Sequence, residues 1–193
     1  MKLSCFFCLY VLGIQLFVSS VASSADVVLI DRFDQEPSAF HTRWHLYNDA
    51  GAGGDSRCQQ QSTSSHVLEI SGHFGQKFGY PFCGLRTFLN NSGTPIDASA
   101  YKGIQIRYKA QYNFTLQVLT APVTDYNEFS AELPASQDWV TKDVLFSQFA
   151  QSPYFGKQVD FAASKVRGLG VHITGLPGQK FPPVYIDSIS FIH

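Results

Sequence analysis

The sequence has 193 residues, and its 14 Lys and Arg against 15 Asp and Glu give a formal charge of −1. The hydrophobic fraction of 45% and charged fraction of 15% indicate a globular chain and not a disordered one. Because the charge is near zero and no basic run occurs, neither nucleic acid nor an anionic membrane surface is expected as a partner. The 17 Phe and 9 Tyr, interrupted by 15 Gly and 9 Pro, favour strands over helices.

The N-terminus has the features of a secretory signal peptide. Lys2 precedes an apolar run at 5–18, and small residues follow up to Ala25. The run is too short for a comfortable membrane span, and the small residues supply a cleavage site. We therefore expect residues 1–25 to be a signal peptide and residues 26–193 to form one secreted or periplasmic domain, with no membrane span after cleavage. An uncleaved membrane anchor is the alternative.

Two cysteines remain after the predicted cleavage, Cys58 and Cys83. In an oxidising compartment the simplest expectation is a disulfide between them, which would stabilise the fold by about 3 kcal/mol. Two buried thiols are the alternative. Sequons for N-glycosylation begin at Asn90 and Asn113, and they matter only in a host that glycosylates.

Short runs of alternating apolar residues, separated by turn signals, predict strands in the first half of the mature chain. We expect strands at 27–30, 66–71 and 82–89. Two further strands, centred on Ile106 and Leu116, have an apolar residue at every second position, which gives each of them one face in the core and one face in water.

The same alternation continues in the second half. Strands are expected at 126–133 and 140–146, and in a third strand, 168–173, Leu, Val and Ile alternate with Gly and His. The last strand changes phase at Asp187, which predicts a β-bulge. One helical turn fits residues 146–151, and no long helical period occurs. Roughly eight or nine strands without helices predict an all-β, two-sheet β-sandwich.

Several short motifs follow one another in a set order along the mature chain. They are Phe33-Asp34, Trp44, Asp49, the segment 53–56, Gly72, Gly84, the segment 97–104, Trp139-Val140, the segment 144–149 and the segment 186–189. Their order resembles the complex I intermediate-associated protein 30 domain family and the related family 11 carbohydrate-binding modules. The resemblance implies a galactose-binding domain-like jelly roll without catalytic residues, in which one sheet often forms a concave ligand surface. Mitochondrial relatives are linked to complex I assembly, whereas an exported relative is expected to bind a glycan or a protein.

Modules similar to this one often hold a structural calcium ion near the chain ends, and no other cofactor is expected. The candidate ligands are Asp31, Asp34 and Asp187, since Ca²⁺ prefers carboxylate and carbonyl oxygens. The alternative for Asp187 is a bulge residue that hydrogen-bonds nearby backbone amides. His41 and His45 lack the sequence context of a helical zinc site and are expected at the surface.

Two other segments are expected to be structural. The Gly-rich segment 48–56 lacks the Lys of a phosphate-binding loop, so we predict a turn in which Asp55 and Ser56 accept hydrogen bonds from backbone amides. Glu128 and Glu132 share one face of a predicted strand and lie about 13 Å apart, too far for a usual catalytic pair. We expect both to face solvent, and no nucleophile elbow occurs.

A sugar-binding surface needs flat aromatic rings and planar polar groups. Four candidates fall on the polar phase of predicted strands, and two tyrosines lie in loops that would border the same sheet. The six residues are Arg86, Gln117, Tyr126 and His172 on the strands, and Tyr47 and Tyr154 in the loops. Trp44 and Trp139 stand at strand starts and are expected in the core, with ligand contact as the alternative.

The sequence thus predicts a secreted, non-enzymatic module that recognises a carbohydrate on a concave sheet face. The alternative is a protein-interaction or assembly factor similar to the mitochondrial relatives. A jelly-roll hydrolase or lyase is less expected, because no acid and base were found for it.

Overall fold

The computed structural model describes residues 26–34, 40, 42–62 and 66–193. The predicted signal peptide and His41 lie outside these residues. The eleven strands are β1 (Val27–Asp31), β2 (His45–Asn48), β3 (Arg57–Ser62), β4 (Leu68–His73), β5 (Phe82–Phe88), β6 (Gly103–Ala110), β7 (Phe114–Thr120), β8 (Phe129–Leu133), β9 (Ser136–Leu145), β10 (Val166–Thr174) and β11 (Lys180–Ile192). Three single 3₁₀ turns lie at Asp49–Ala52, Phe146–Gln148 and Ala163–Lys165. In this part of the chain no helix has the length and apolar character needed to cross a bilayer.

The strands form two antiparallel sheets that pack as a jelly-roll β-sandwich, as predicted. One sheet has the order β3-β4-β11-β6-β9, and β1 also pairs with β11. The other has the order β2-β5-β10-β7-β8. The long strand β11 pairs with β4 along its first half and with β1 along its second half, so it runs the full height of its sheet.

The core lies between the sheets and is built from the alternating apolar residues. Tyr108 of β6 packs edge-on against Phe114 of β7, with ring centroids 5.0 Å apart, and its hydroxyl donates to the Pro134 carbonyl at 2.8 Å. The predicted core positions that are buried here include Ile104, Ile106, Leu116, Val118, Phe129, Leu133, Leu169, Val171, Ile173, Val184, Ile186, Ile189 and Phe191. Burial of these alternating side chains from both inner faces drives the two sheets together.

The phase change in the last strand is a bulge. The register between β11 and β6 shifts between Ile186 and Ser188, so Asp187 is the extra residue that returns Ile189 to the core face. The predicted helical turn near residue 146 is also present, as the 3₁₀ turn Phe146–Gln148.

Other sequence predictions were wrong. The strands β2 and β3 were not predicted, because their sequences carry no apolar alternation. The strand predicted to begin at Tyr126 begins at Phe129 instead, and Tyr126 has φ 65° in the preceding turn. Trp139 is 38% exposed and lies on the edge strand β9, not in the core. Its ring stacks beneath the Arg107 guanidinium at 5.5 Å.

The Gly-rich segment is the predicted structural turn. Asp55 Oδ1 accepts hydrogen bonds from the backbone N–H groups of Gln76 and Lys77, and Ser56 Oγ accepts one from Gly75. These bonds hold the pKa of the Asp55 carboxyl below its usual range. The segment therefore fastens the start of β3 to the loop that follows β4.

A disulfide joins Cys58 of β3 to Cys83 of β5, which confirms the predicted pairing and excludes two free thiols. Because β3 belongs to one sheet and β5 to the other, the bond is a covalent tie across the sandwich. Cys83 is buried and Cys58 is half-buried.

We expect the double variant Cys58→Ala/Cys83→Ala to lose about 3 kcal/mol of unfolding free energy, since the bridge closes a chain segment of 25 residues' separation. Urea denaturation measures the loss. The wild-type protein kept reduced should unfold at the same urea concentration as the variant. An unchanged midpoint in both samples would contradict the prediction.

Candidate ligand-binding groove

The outer face of the five-stranded sheet carries a groove. Two adjoining cavities of ≈ 400 Å³ and ≈ 540 Å³ lie along it. Both are lined by Thr115, Glu132 and His172, so the cavities are continuous across β10, β7 and β8. Side chains on this face alternate with the buried ones, because successive residues of a strand point to opposite sides of the sheet.

A glycine in β5 allows one wall of the groove to form. Gly84 stands between Tyr47 of β2 and His172 of β10 in the cross-strand register. The Tyr47 ring lies over Gly84, where an added Cβ would come within 2.2 Å of the ring carbon Cζ. Tyr47 can therefore reach across a whole strand, and its hydroxyl lies 2.9 Å from His172 Nδ1.

A second glycine, in β10, lies between two polar groups. Gly170 is paired with Arg86 of β5 on one side and with Gln117 of β7 on the other. A Cβ on Gly170 would approach Gln117 Oε1 to 3.0 Å. The missing side chain leaves room for the Gln117 amide to lie against the backbone of β10.

Tyr47, Gln117 and His172 form one hydrogen-bonded group. The Tyr47 hydroxyl donates to Gln117 Oε1 at 3.3 Å and contacts His172 Nδ1. Burial lowers the pKa of His172 to about 4, so the imidazole is neutral at pH 7. Burial also raises the pKa of the Tyr47 hydroxyl, which Arg86 opposes.

Arg86 supplies positive charge to this face. Its guanidinium lies 4.7 Å from the centre of the Tyr47 ring, a cation–π contact that orients both side chains. The planar guanidinium keeps donors free for hydroxyl or carbonyl oxygens.

Glu128 is a groove residue that the sequence did not identify. It was expected to face solvent, but its side chain is half-buried and lines the smaller cavity. Its Oε2 atom is buried and has no hydrogen-bond partner among the described residues. Burial raises the pKa of the carboxyl to about 7, against the opposing effect of Arg86 and Arg167. The expected face is correct, since Glu128 and Glu132 line the same cavity, but the loop residues Gln151, Ser152 and Phe155 line it as well, so this end of the face is not open to solvent.

A loop at one end of the groove is held by Asn127. This buried side chain donates to the carbonyls of Ser152 and Phe155 and accepts from the Ser152 N–H. Asp125 accepts a further bond from the Lys157 N–H. The loop therefore has a fixed conformation, and it places Phe155 against the smaller cavity.

The exposed aromatic residues at this end are Tyr126, Tyr154 and Phe155, which are 74%, 96% and 54% exposed. Tyr126 and Phe155 line the smaller cavity, whereas Tyr154 lines neither. Large aromatic side chains left in water beside a cavity are typical of a binding surface.

A second cluster of aromatic rings lies beside His172 and lines neither cavity. Phe82 packs on His172 with ring centroids 5.2 Å apart, and Phe78 lies edge-on to both Phe82 and Tyr80. Tyr80 is 82% exposed. These residues were not predicted as ligand contacts, although the sequence 78–82 has three aromatic residues in five positions.

Of the predicted ligand residues, Gln117, Tyr126 and His172 line the groove. Tyr47 and Arg86 line neither cavity and lie beside it, with the Tyr47 hydroxyl in contact with Gln117 and His172. Tyr47 was expected in a loop but belongs to β2.

The three carboxylates predicted to hold calcium each have protein partners. Asp31 accepts from Thr42 Oγ1 and Trp44 Nε1, while Asp34 pairs with Arg32 and Asp187 with Arg107. In the part of the chain that is described, no three His, Cys, Asp or Glu side chains come together as a metal-binding group. Calcium binding stays a prediction that this arrangement does not favour.

We expect His172→Asn to change how stability depends on pH. The folded protein keeps His172 neutral down to a pKa of about 4, whereas the unfolded chain binds a proton near pH 6.5. Wild-type stability should therefore fall relative to the variant by about 1 to 2 kcal/mol between pH 7 and pH 5. Urea unfolding of both proteins at the two pH values measures this difference, and parallel losses would contradict the prediction. The titration of Glu128 is common to both proteins and cancels.

Three solved structures are similar in fold to this chain. The family 11 carbohydrate-binding module of cellulosomal cellulase Lic26A-Cel5E of Clostridium thermocellum has a TM-score of 0.59 at 17% identity, covering 88% of this chain and 96% of that one. The family 11 module from Clostridium thermocellum in complex with a β-1,3-1,4-mixed-linked tetrasaccharide has a TM-score of 0.57 at 16% identity, covering 88% and 97%. A family 29 module variant complexed with mannohexaose has a TM-score of 0.55 at 10% identity, covering 88% and 92%.

At these identities the structural likeness shows the galactose-binding-like jelly-roll fold alone. No curated protein matches the sequence. The family model described as Complex I intermediate-associated protein 30 matches residues 32–182, which is most of the chain and includes the strands that form the groove. The protein therefore belongs to the Complex I intermediate-associated protein 30 family.

Proposed function

We propose that this protein is an exported, non-catalytic module that binds an oligosaccharide in the groove of its five-stranded sheet. The observation that carries the proposal is the groove itself, in which polar side chains such as Gln117 and His172 line the floor and the exposed rings of Tyr126 and Phe155 stand at one end. Export is supported by the predicted signal peptide and by the disulfide between Cys58 and Cys83, which is typical of an oxidising compartment.

The chemistry of the groove suits a sugar chain. Pyranose rings present apolar faces to aromatic rings and hydroxyls to planar polar groups. Gln117 offers such a polar group on the floor and Arg86 offers one beside it on the same sheet face, and Tyr126 offers an exposed ring at the rim. The cavity volumes of ≈ 400 Å³ and ≈ 540 Å³ are within the usual range for a bound small molecule.

The solved relatives support a glycan ligand. Two of the modules with this fold are complexed with a mixed-linked tetrasaccharide and with mannohexaose. Both are named as carbohydrate-binding modules, which supports recognition without turnover here.

Protein binding is the second candidate. The family name refers to complex I assembly, and Tyr154 and Phe155 present apolar surface on a loop held by Asn127. Exposed aromatic residues in a fixed loop are common at protein interfaces.

We expect Arg86→Ala and Tyr126→Ala each to weaken oligosaccharide binding by about tenfold or more, which is about 1.4 kcal/mol, with little change in melting temperature. The protein, expressed as the full chain and purified after export, is screened on a glycan array and then titrated calorimetrically. The mixed-linked tetrasaccharide and mannohexaose are the first ligands.

Trp139→Ala is the matched control, because Trp139 is an exposed aromatic residue on the other sheet. It should leave the affinity unchanged. If only this variant lost binding, the binding site would lie on the opposite face of the sandwich. A folded protein that binds no glycan would favour the protein-binding candidate.

A further inference from the structure

We propose that Glu128 takes up a proton when a neutral oligosaccharide fills the groove, so that the affinity rises as the pH falls from 8.5 to 6. This inference rests on the proposed function. It assigns Glu128 as the residue that sets the pH range of binding and that favours uncharged over anionic glycans.

The position of the carboxyl group is the first observation. Glu128 lines the smaller cavity together with Gln117, Tyr126 and His172. Its Oε2 atom is buried without a hydrogen-bond partner, and the ion pairs of the described residues do not include it. An unpaired buried carboxylate oxygen is costly, whereas a neutral carboxylic acid costs much less.

The charges around Glu128 come from three directions. Arg86 on β5 and Arg167 on β10 favour the charged form, and Asp125 in the preceding turn opposes it. Burial outweighs the two arginines, and the pKa of Glu128 is raised to about 7. In the free protein the Glu128 carboxyl is therefore close to half-protonated at neutral pH.

A bound sugar chain would shift Glu128 further towards its protonated form. Since Glu128 is only half-buried, water still reaches part of the carboxyl group. A neutral ligand in the cavity replaces that water and brings no compensating positive charge. The charged form then becomes less favourable, and the acid can donate its O–H to a ring or hydroxyl oxygen of the sugar. Binding and protonation are thus linked and strengthen each other.

Other groups on this face do not account for the same pH range. His172 has a pKa lowered to about 4 and is neutral throughout. The pKa of Tyr47 is raised and that of Asp125 is lowered, so neither changes charge between pH 6 and 8.5.

The test is calorimetric titration of the exported protein with the mixed-linked tetrasaccharide and with mannohexaose at pH 6, 7 and 8.5. If binding raises the pKa of Glu128 by one, the wild-type affinity should fall about sevenfold from pH 6 to pH 8.5. Glu128→Gln, which imitates the neutral acid, should bind with the same affinity at every pH. Titrations in two buffers of different ionisation enthalpy should show proton uptake by the wild type and none by the variant.

Glu132→Gln is the matched control. Glu132 lines the same groove but is exposed, and its Oε1 accepts a hydrogen bond from Asn113 at 2.8 Å. This variant should keep the pH dependence of the wild type. If it abolishes that dependence instead, the assignment to Glu128 is wrong.

The failure of this inference can be separated from the failure of the proposed function. Glycan binding that does not vary with pH overturns the inference and leaves the function intact. Binding that strengthens as the pH rises also overturns it. If no glycan binds at any pH, both fail. A carboxyl NMR titration of the free protein is independent of ligand, and a Glu128 that titrates near its ordinary pKa would contradict the inference directly.

Discussion

The hydrogen-bonded group of Tyr47, Gln117 and His172 depends on the close contact between the Tyr47 ring and the backbone of Gly84. Any Cβ at position 84 would overlap the ring, so only glycine lets a residue of the edge strand β2 extend across β5 to the His172 imidazole. Gly170 has the matching role one row further along the sheet. The two glycines of neighbouring strands thus leave room for the Tyr47 ring and the Gln117 amide to lie against the backbone of the sheet.

The alternation of apolar and polar residues along the strands predicted most of the residues on this face. Where the prediction was wrong, the structure shows the cause. Arg86, Gln117 and His172 are in long strands whose opposite faces are buried, so the polar phase could be read from the sequence. Tyr47 was misplaced because the four residues of β2 carry no alternation, and the apolar Leu46 is 40% exposed. Glu128 was placed on the correct face, but its burial was missed because the loop residues that line the same cavity, Gln151, Ser152 and Phe155, are more than twenty positions away in the sequence.

Two buried titratable groups of the groove respond to burial in opposite ways. Removal from water disfavours the charged form of each, so the imidazole of His172 loses its proton more readily while the carboxyl of Glu128 holds its proton more tightly. Near neutral pH these residues therefore contribute a neutral imidazole and a partly protonated acid, next to the exposed Glu132 and the permanent charge of Arg86. Such a surface offers directional hydrogen bonds with little net charge, which suits the hydroxyl groups of a sugar better than an anion.

The disulfide has a further consequence because of where it lies. Cys83 directly precedes Gly84 and is paired in register with Asn48, the neighbour of Tyr47. The covalent tie to β3 is therefore anchored beside the residues whose contact shapes the groove. Reduction of the disulfide would release β5 from β3 at that point. The shape of the groove would then depend on whether the surroundings are oxidising or reducing. A copy retained in a reducing compartment would keep the same sequence and lose a restraint on its binding surface.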